Sequence, residues 1–418
     1  MGIKLRLTLM NFLQFFIWGS WLITIGAYWF QNKQWSGAEF GAIFSTMGIS
    51  ALFMPTLTGI IADRWINAEK LLGICHLMGA IMLFLLPMVD NPSTFFWVIL
   101  LNMIFYMPTI SLSNTVSYSA LKNSGLNVVK EFPPIRVWGT IGFIVAMWIV
   151  SLLKIETSSS QFYVASASSV VLGLYSFTLP KCLPGLTIKE GSSWIDLLGL
   201  RAFKLFKNLK MALFFIFAML LGAALQLTNA YGDTFLHDFA KVDAYKDTLT
   251  VKYPAIIMSI SQISETVFIL AIPFMLRKFG IKKVMLFSMV AWVLRFGLFA
   301  YGNPAEGLWM IILSCIIYGL AFDFFNISGS LFVETNSEHN IRASAQGLFM
   351  MMTNGVGALL GSRISGIVID KFYTLSDGSK DWPGIWIAFA SYSLVVAILF
   401  AVLFRHKHDA SELQTIHH

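Results

Sequence analysis

The sequence predicts an all-α polytopic membrane protein with twelve transmembrane helices. Three observations carry that expectation. Hydrophobic residues make up 57% of the 418 and charged residues only 12%, about half the charge of an ordinary water-soluble chain. The apolar residues gather into runs long enough to cross a bilayer, which takes roughly 20 residues of helix. Lys and Arg concentrate in alternate loops between those runs, as cytoplasmic loops require.

Uncharged or nearly uncharged runs fall at 7–30, 40–62, 71–89, 91–121, 137–153, 157–180, 211–232, 253–276, 284–305, 307–333, 343–369 and 382–404. The first follows a short basic start, extends far beyond a signal-peptide core and shows no small-residue cleavage site. It reads as a first span. The fifth is short because Arg136 truncates it; Pro133 and Pro134 suit a helix start, so that helix is expected to begin earlier.

With the N-terminus placed in the cytoplasm, the cytoplasmic segments carry 19 of the 29 Lys and Arg and the opposite face 7; the other three lie in or at the edge of spans. Both termini are therefore expected on the cytoplasmic side. The net charge of +7 is spread over short loops with no dense run, which fits topology in a lipid bilayer and argues against a nucleic-acid partner. Cys75, Cys182 and Cys315 share no motif spacing and read as small packing residues. The seven histidines are scattered without zinc spacing, and no phosphate-binding glycine loop is present. No metal, cofactor or catalytic group is expected, and the chain is not expected to be an enzyme.

The longest basic loop follows the sixth run and contains the polar stretch GLTIKEGSSW. It divides the chain into a six-helix bundle at 1–182, a central cytoplasmic loop at 183–210, a second six-helix bundle at 211–404 and a tail at 405–418. This layout matches the major facilitator fold, with two pseudo-symmetric bundles and substrate bound near the midplane between them. The loop after the second run, Gly59-Ile60-Ile61-Ala62-Asp63-Arg64, resembles the signature of that superfamily. The equivalent loop after the eighth, Arg277 to Lys283, is basic but lacks the Asp.

An ionisable residue inside a span costs about 2.5–3.5 kcal/mol on the gentler insertion scales, so each one counts. They are Glu265, Arg295, Asp323 and Arg363, with Arg136 at the start of the fifth span and Asp233 at the outer end of the seventh. Gln262 and Glu265 are three apart and share a helix face. Tyr318 and Phe322, four apart, put two aromatic rings on one face, with Asp323 beside it and Asn326 three further on. Gln226 and Asn229 are again three apart, and Arg136, Thr140 and Phe143 follow at spacings of four and three.

Four helices thus each present a polar or aromatic stripe. Amides that both donate and accept, beside flat rings, suit a neutral ligand with hydroxyls and a planar ring. The same amides also serve as interhelical glue, and aromatics at helical spacing also pack. Arg295 and Arg363 read as residues that hold helices together through acids or carbonyls. Glu265 and Asp323 read as functional. A carboxyl in low dielectric favours its neutral form, so one that ionises only when it faces water can carry a proton through a cycle.

Longer segments carry a family resemblance: FLQFFIWGSWLITIGAY, MPTISLSNTVSY, EFPPIRVWGTIGFIVAMW, FFIFAMLLGAALQLTNAYGDTFLHDF, MSISQISETVFILAIPF, YGLAFDFFNISGSLFVE and IRASAQGLFMMMTNGVG. From the first span to the last, the chain resembles the bacterial nucleoside:proton symporters of the major facilitator superfamily. The resemblance implies a monomeric carrier that takes up nucleosides, purine or pyrimidine and with xanthosine among the candidates, together with protons. It implies a nucleoside site at Arg136, Thr140, Phe143, Gln226, Asn229, Gln262, Glu265, Tyr318, Phe322 and Asp323, with Asp323 and Glu265 coupling the proton. A sugar as cargo on the same fold is the alternative reading.

Overall fold

The computed structural model describes residues 2–184, 200–338 and 342–406. Among these the secondary structure is helical, with one isolated bridge between Thr374 and Lys380. The stretch GLTIKEGSSW lies outside the described residues, as do Lys407 to His418 of the tail. The chain divides into two compact units, Met1–Leu198 and Gly199–His418.

The first unit contains α1 (Ile3–Gly19), α2 (Gly37–Arg64), α3 (Ala68–Leu85), α4 (Pro92–Asn123), α5 (Val128–Leu152) and α6 (Ser160–Ser176). The second contains α7 (Leu209–Asp238), α8 (254–279), α9 (281–301), α10 (Leu308–Asn336), α11 (342–372) and α12 (Trp382–Leu403). Eight helices pass a strict test of length and apolarity, with 254–301 counted once. Gly280 divides that stretch: its φ of 77° and ψ of 165° leave the helical region, and only glycine takes such a backbone at no steric cost. The helices α1 and α6 are 17 residues each, and α11 is interrupted by wide π-helical turns at Met351–Gly357. With these, twelve spans lie among the described residues.

Two elements differ in detail from the hydropathy runs. The first run is not one helix: α1 stops at Gly19, turns follow at 20–24, and short helical turns run on to Lys33. In α5 the prolines do not start the helix. Asn127 does, its side chain accepting from Lys130 N–H, as an Asn N-cap should. Pro133 and Pro134 then lie inside the helix, in its second turn.

Small residues set the closest helix approaches, as expected where lipid offers no hydrophobic drive between helices. A Cβ on Gly142 of α5 would collide with the Phe12 carbonyl of α1. In the second unit a Cβ on Gly222 of α7 would collide with the Thr353 carbonyl of α11. Helix starts are fixed by local chemistry: Ser36 and Glu39 form a capping box at α2, and Asn91 caps α4 ahead of Pro92.

The core of the first unit is partly polar. Gln14 Nε2 donates to Thr109 Oγ1 at 2.7 Å, and Gln14 Oε1 lies 2.8 Å from His76 Nε2. Tyr106 OH donates to the Gln14 carbonyl, and Ser169 OH to the His76 carbonyl. These bonds join α1, α3, α4 and α6. They give His76, which is buried, a place that its isolated position in the sequence does not suggest.

Candidate functional site

In the first unit, Arg136, Thr140 and Phe143 descend one face of α5. Because α5 begins at Val128, Arg136 is its ninth residue and stands about 12 Å along the axis. The hydropathy run starts only at 137 and puts it at the very end. The Arg136 guanidinium lies over the Phe15 ring, 4.0 Å from its centroid, a cation–π contact. Phe143 meets Trp18 edge to face at 6.4 Å, and Trp18 leans on Tyr106 at 5.5 Å. All three predicted residues are half-buried.

In the second unit the stripes lie on α7, α8 and α10. Tyr318 and Phe322 stack almost in parallel, with centroids 5.8 Å apart and an interplanar angle of 8°. Asp323 is buried, 5% exposed, and its Oδ2 has no hydrogen-bond partner among the described residues. The same holds for Gln226 Oε1 and Gln262 Oε1. Glu265 lies within electrostatic range of both Asp323 and Tyr318. The helices α8 and α10 touch at this level: Gly319 N–H donates to Ser264 Oγ at 3.0 Å, and a Cβ on Gly319 would meet the Ser264 carbonyl and the Glu265 nitrogen. Asn229 is half-buried on α7, three residues from Gln226.

Arg295 on α9 ties the three stripes together. It is fully buried. Its guanidinium donates to the Ser314 carbonyl at 2.6 Å, to Thr228 Oγ1 at 3.3 Å and to Ser261 Oγ at 3.4 Å. Its charged carbon sits 4.7 Å from the Tyr318 ring centroid. Thr228 lies between Gln226 and Asn229, and Ser261 precedes Gln262. The sequence-based expectation of a residue bonded to carbonyls is met by Ser314. Arg363 is exposed on α11.

A small pocket opens in this unit, lined among others by Leu225, Trp292, Phe322, Asn326, Thr353 and Asn354. Phe322 is the predicted site residue that lines it; Gln226, Gln262, Glu265, Tyr318 and Asp323 are not among its walls. The sequence reading missed Trp292, Thr353 and Asn354. Trp292 stands in an apolar run, where an indole carries no distinguishing mark. Thr353 and Asn354 did leave a trace, a polar break in the apolar run of α11, and they fall in its π-helical turns, a feature that recurs at functional sites.

Twelve membrane-length helices carrying buried carboxyl, amide and aromatic stripes define a polytopic transporter of the major facilitator fold. The chain belongs to the nucleoside H+ symporter family, whose model matches residues 1–409. It is 54% identical over 415 residues to the xanthosine permease of Escherichia coli (strain K12), covering 99% of each chain. It is 53% identical over 409 residues to nucleoside permease NupG of the same organism, covering 98% of this chain and 97% of the relative. The crystal structure of nucleoside transporter NupG matches with a TM-score of 0.91 at 53% identity, covering 97% of this chain and 100% of that one.

Proposed function

We propose that this protein carries nucleosides into the cell together with protons, by alternating access across the bacterial inner membrane. The observation that carries the reading is the set of three buried acceptors, Gln226 Oε1, Gln262 Oε1 and Asp323 Oδ2, that lack donors in a unit where Tyr318 and Phe322 stack. Buried acceptors of this kind ask for donors. A nucleoside brings them as ribose hydroxyls and base N–H groups, and its planar base suits the faces of Tyr318 and Phe322. Glu265 and Asn229 extend the polar surface. In the first unit Arg136, Thr140 and Phe143 present a donor, a hydroxyl and a ring along one face of α5.

Asp323 and Glu265 supply the coupling. Two neighbouring carboxyls hold one negative charge more easily than two, so a proton taken up with the nucleoside neutralises the pair. Its release on the other side restores the charge and resets the carrier. Purine and pyrimidine nucleosides both fit this chemistry, and xanthosine is within its range. The Lys and Arg distribution supports cytoplasmic termini, and the carrier works as a monomer.

The test is uptake of labelled uridine and adenosine by cells expressing the protein, with a competition panel of nucleosides, free bases and sugars at two pH values. Accumulation should be greater at the more acidic external pH, collapse on adding a protonophore, and yield to nucleosides rather than sugars. Uptake indifferent to the protonophore would overturn the coupling. Competition by glucose or lactose would overturn the cargo.

A further inference from the structure

The second unit holds another small cavity, apart from the proposed nucleoside contacts. Its walls include Ala224, Met289, Tyr392, Ser393 and Val396, and it shares two residues, Leu221 and Trp292, with the pocket at Phe322. Trp292 is buried and braced on both sides. It stacks on Phe296 at 5.5 Å and 30°, and meets Tyr318 edge to face at 6.0 Å and 89°. The cavity behind it is not wholly apolar: Ser393 Oγ is buried and has no hydrogen-bond partner among the described residues.

We propose that Trp292 is a specificity-determining residue: its indole is the partition between the binding pocket and this second cavity, and it sets the largest base the carrier admits. The inference rests on the nucleoside reading and goes beyond it. Trp292, Phe322 and Phe325 set rings into the wall of the pocket, so a base that enters there packs closely against them. The aromatic walls at Trp292 and Phe322 favour the flat base at this end, with the ribose toward the amides and carboxyls. A substituent on the base therefore runs into the indole, while one on the ribose does not. Truncating Trp292 joins the two spaces and creates room for an aryl group on the base.

The experiment measures competition against labelled adenosine uptake by N6-benzyladenosine, 8-benzylaminoadenosine and 5′-O-benzyladenosine. Wild type, Trp292→Ala, Trp292→Phe, Val396→Phe and the double variant Trp292→Ala/Val396→Phe are compared. Trp292→Ala should take at least one base-substituted analogue at a concentration at least about tenfold lower than wild type, the scale on which small volume changes discriminate in apolar pockets. The 5′ analogue should gain nothing. Trp292→Phe, which keeps a ring in the partition, should resemble wild type. Val396 lines only the second cavity; its enlargement should leave adenosine uptake unchanged and cancel the gain in the double variant.

No gain in Trp292→Ala, a gain shared by the 5′ analogue, or a gain that survives Val396→Phe would each overturn the partition. Wild type that takes up no adenosine would overturn the nucleoside reading itself. If Trp292→Ala melts too low in detergent to assay, Trp292→Leu is the smaller truncation, read by the same competition.

Discussion

Asp323 is the residue whose surroundings most constrain its role. A carboxyl 5% exposed, with one oxygen unpartnered and Glu265 in electrostatic range, is costly to keep unless it is used. Asp323→Asn should abolish proton-driven accumulation while leaving nucleoside exchange between the two sides; full accumulation by that variant would remove Asp323 from the coupling. The stacked pair supports a second expectation. Phe322→Ala should weaken nucleoside binding about tenfold by calorimetry, since an aromatic contact contributes about 0.5–1.5 kcal/mol beyond its buried area. Gln226→Ala should weaken it less, because one hydrogen bond is worth about 1 kcal/mol net. Unchanged affinity in both would return them to packing roles. These residues were legible in the sequence because they are polar or paired at helical spacing in otherwise apolar runs. Trp292 was not, because an indole in an apolar span differs from its neighbours only in what it touches.

The helices are positioned by features that sequence shows only in part. Spacing places Arg295 in a span. It does not show that one guanidinium reaches α7, α8 and α10 together. Arg295→Lys keeps the charge but loses the planar fork and its stacking on Tyr318. It should lower the melting temperature in detergent and raise the KM for nucleoside, and an unchanged KM would limit Arg295 to a structural role. The approach of α7 to α11 gives another expectation. Gly222→Val would drive side-chain atoms into the Thr353 backbone, at about 1–3 kcal/mol for such overpacking. Thr353 also lines the pocket, so melting temperature and affinity should fall together. A loss of one without the other would separate the contact from the site. The start of α5 was misplaced from sequence because Pro133 and Pro134 resemble an N-terminus, whereas the Asn127 cap sets it six residues earlier than Pro133 and carries Arg136 inward.

For the whole molecule, the distribution of Lys and Arg makes orientation testable. The three native cysteines are buried, so an engineered surface cysteine can be labelled against a low background. Lys246→Cys, in the exposed segment between α7 and α8, should react with an impermeant maleimide in intact cells. Arg405→Cys, exposed after α12, should react only after permeabilisation; the reverse pattern would invert the topology. The sequence by itself determined that the chain crosses a membrane many times, how its basic loops divide, and which polar side chains stand in its spans. Those follow from local composition, because the cost of placing charge or bare backbone in lipid is paid residue by residue. Only the tertiary structure decided which acceptors lack donors among the described residues, and that Trp292 and Leu221 line two cavities. Those depend on side chains from helices far apart in the chain, and no local pattern encodes which of them will meet.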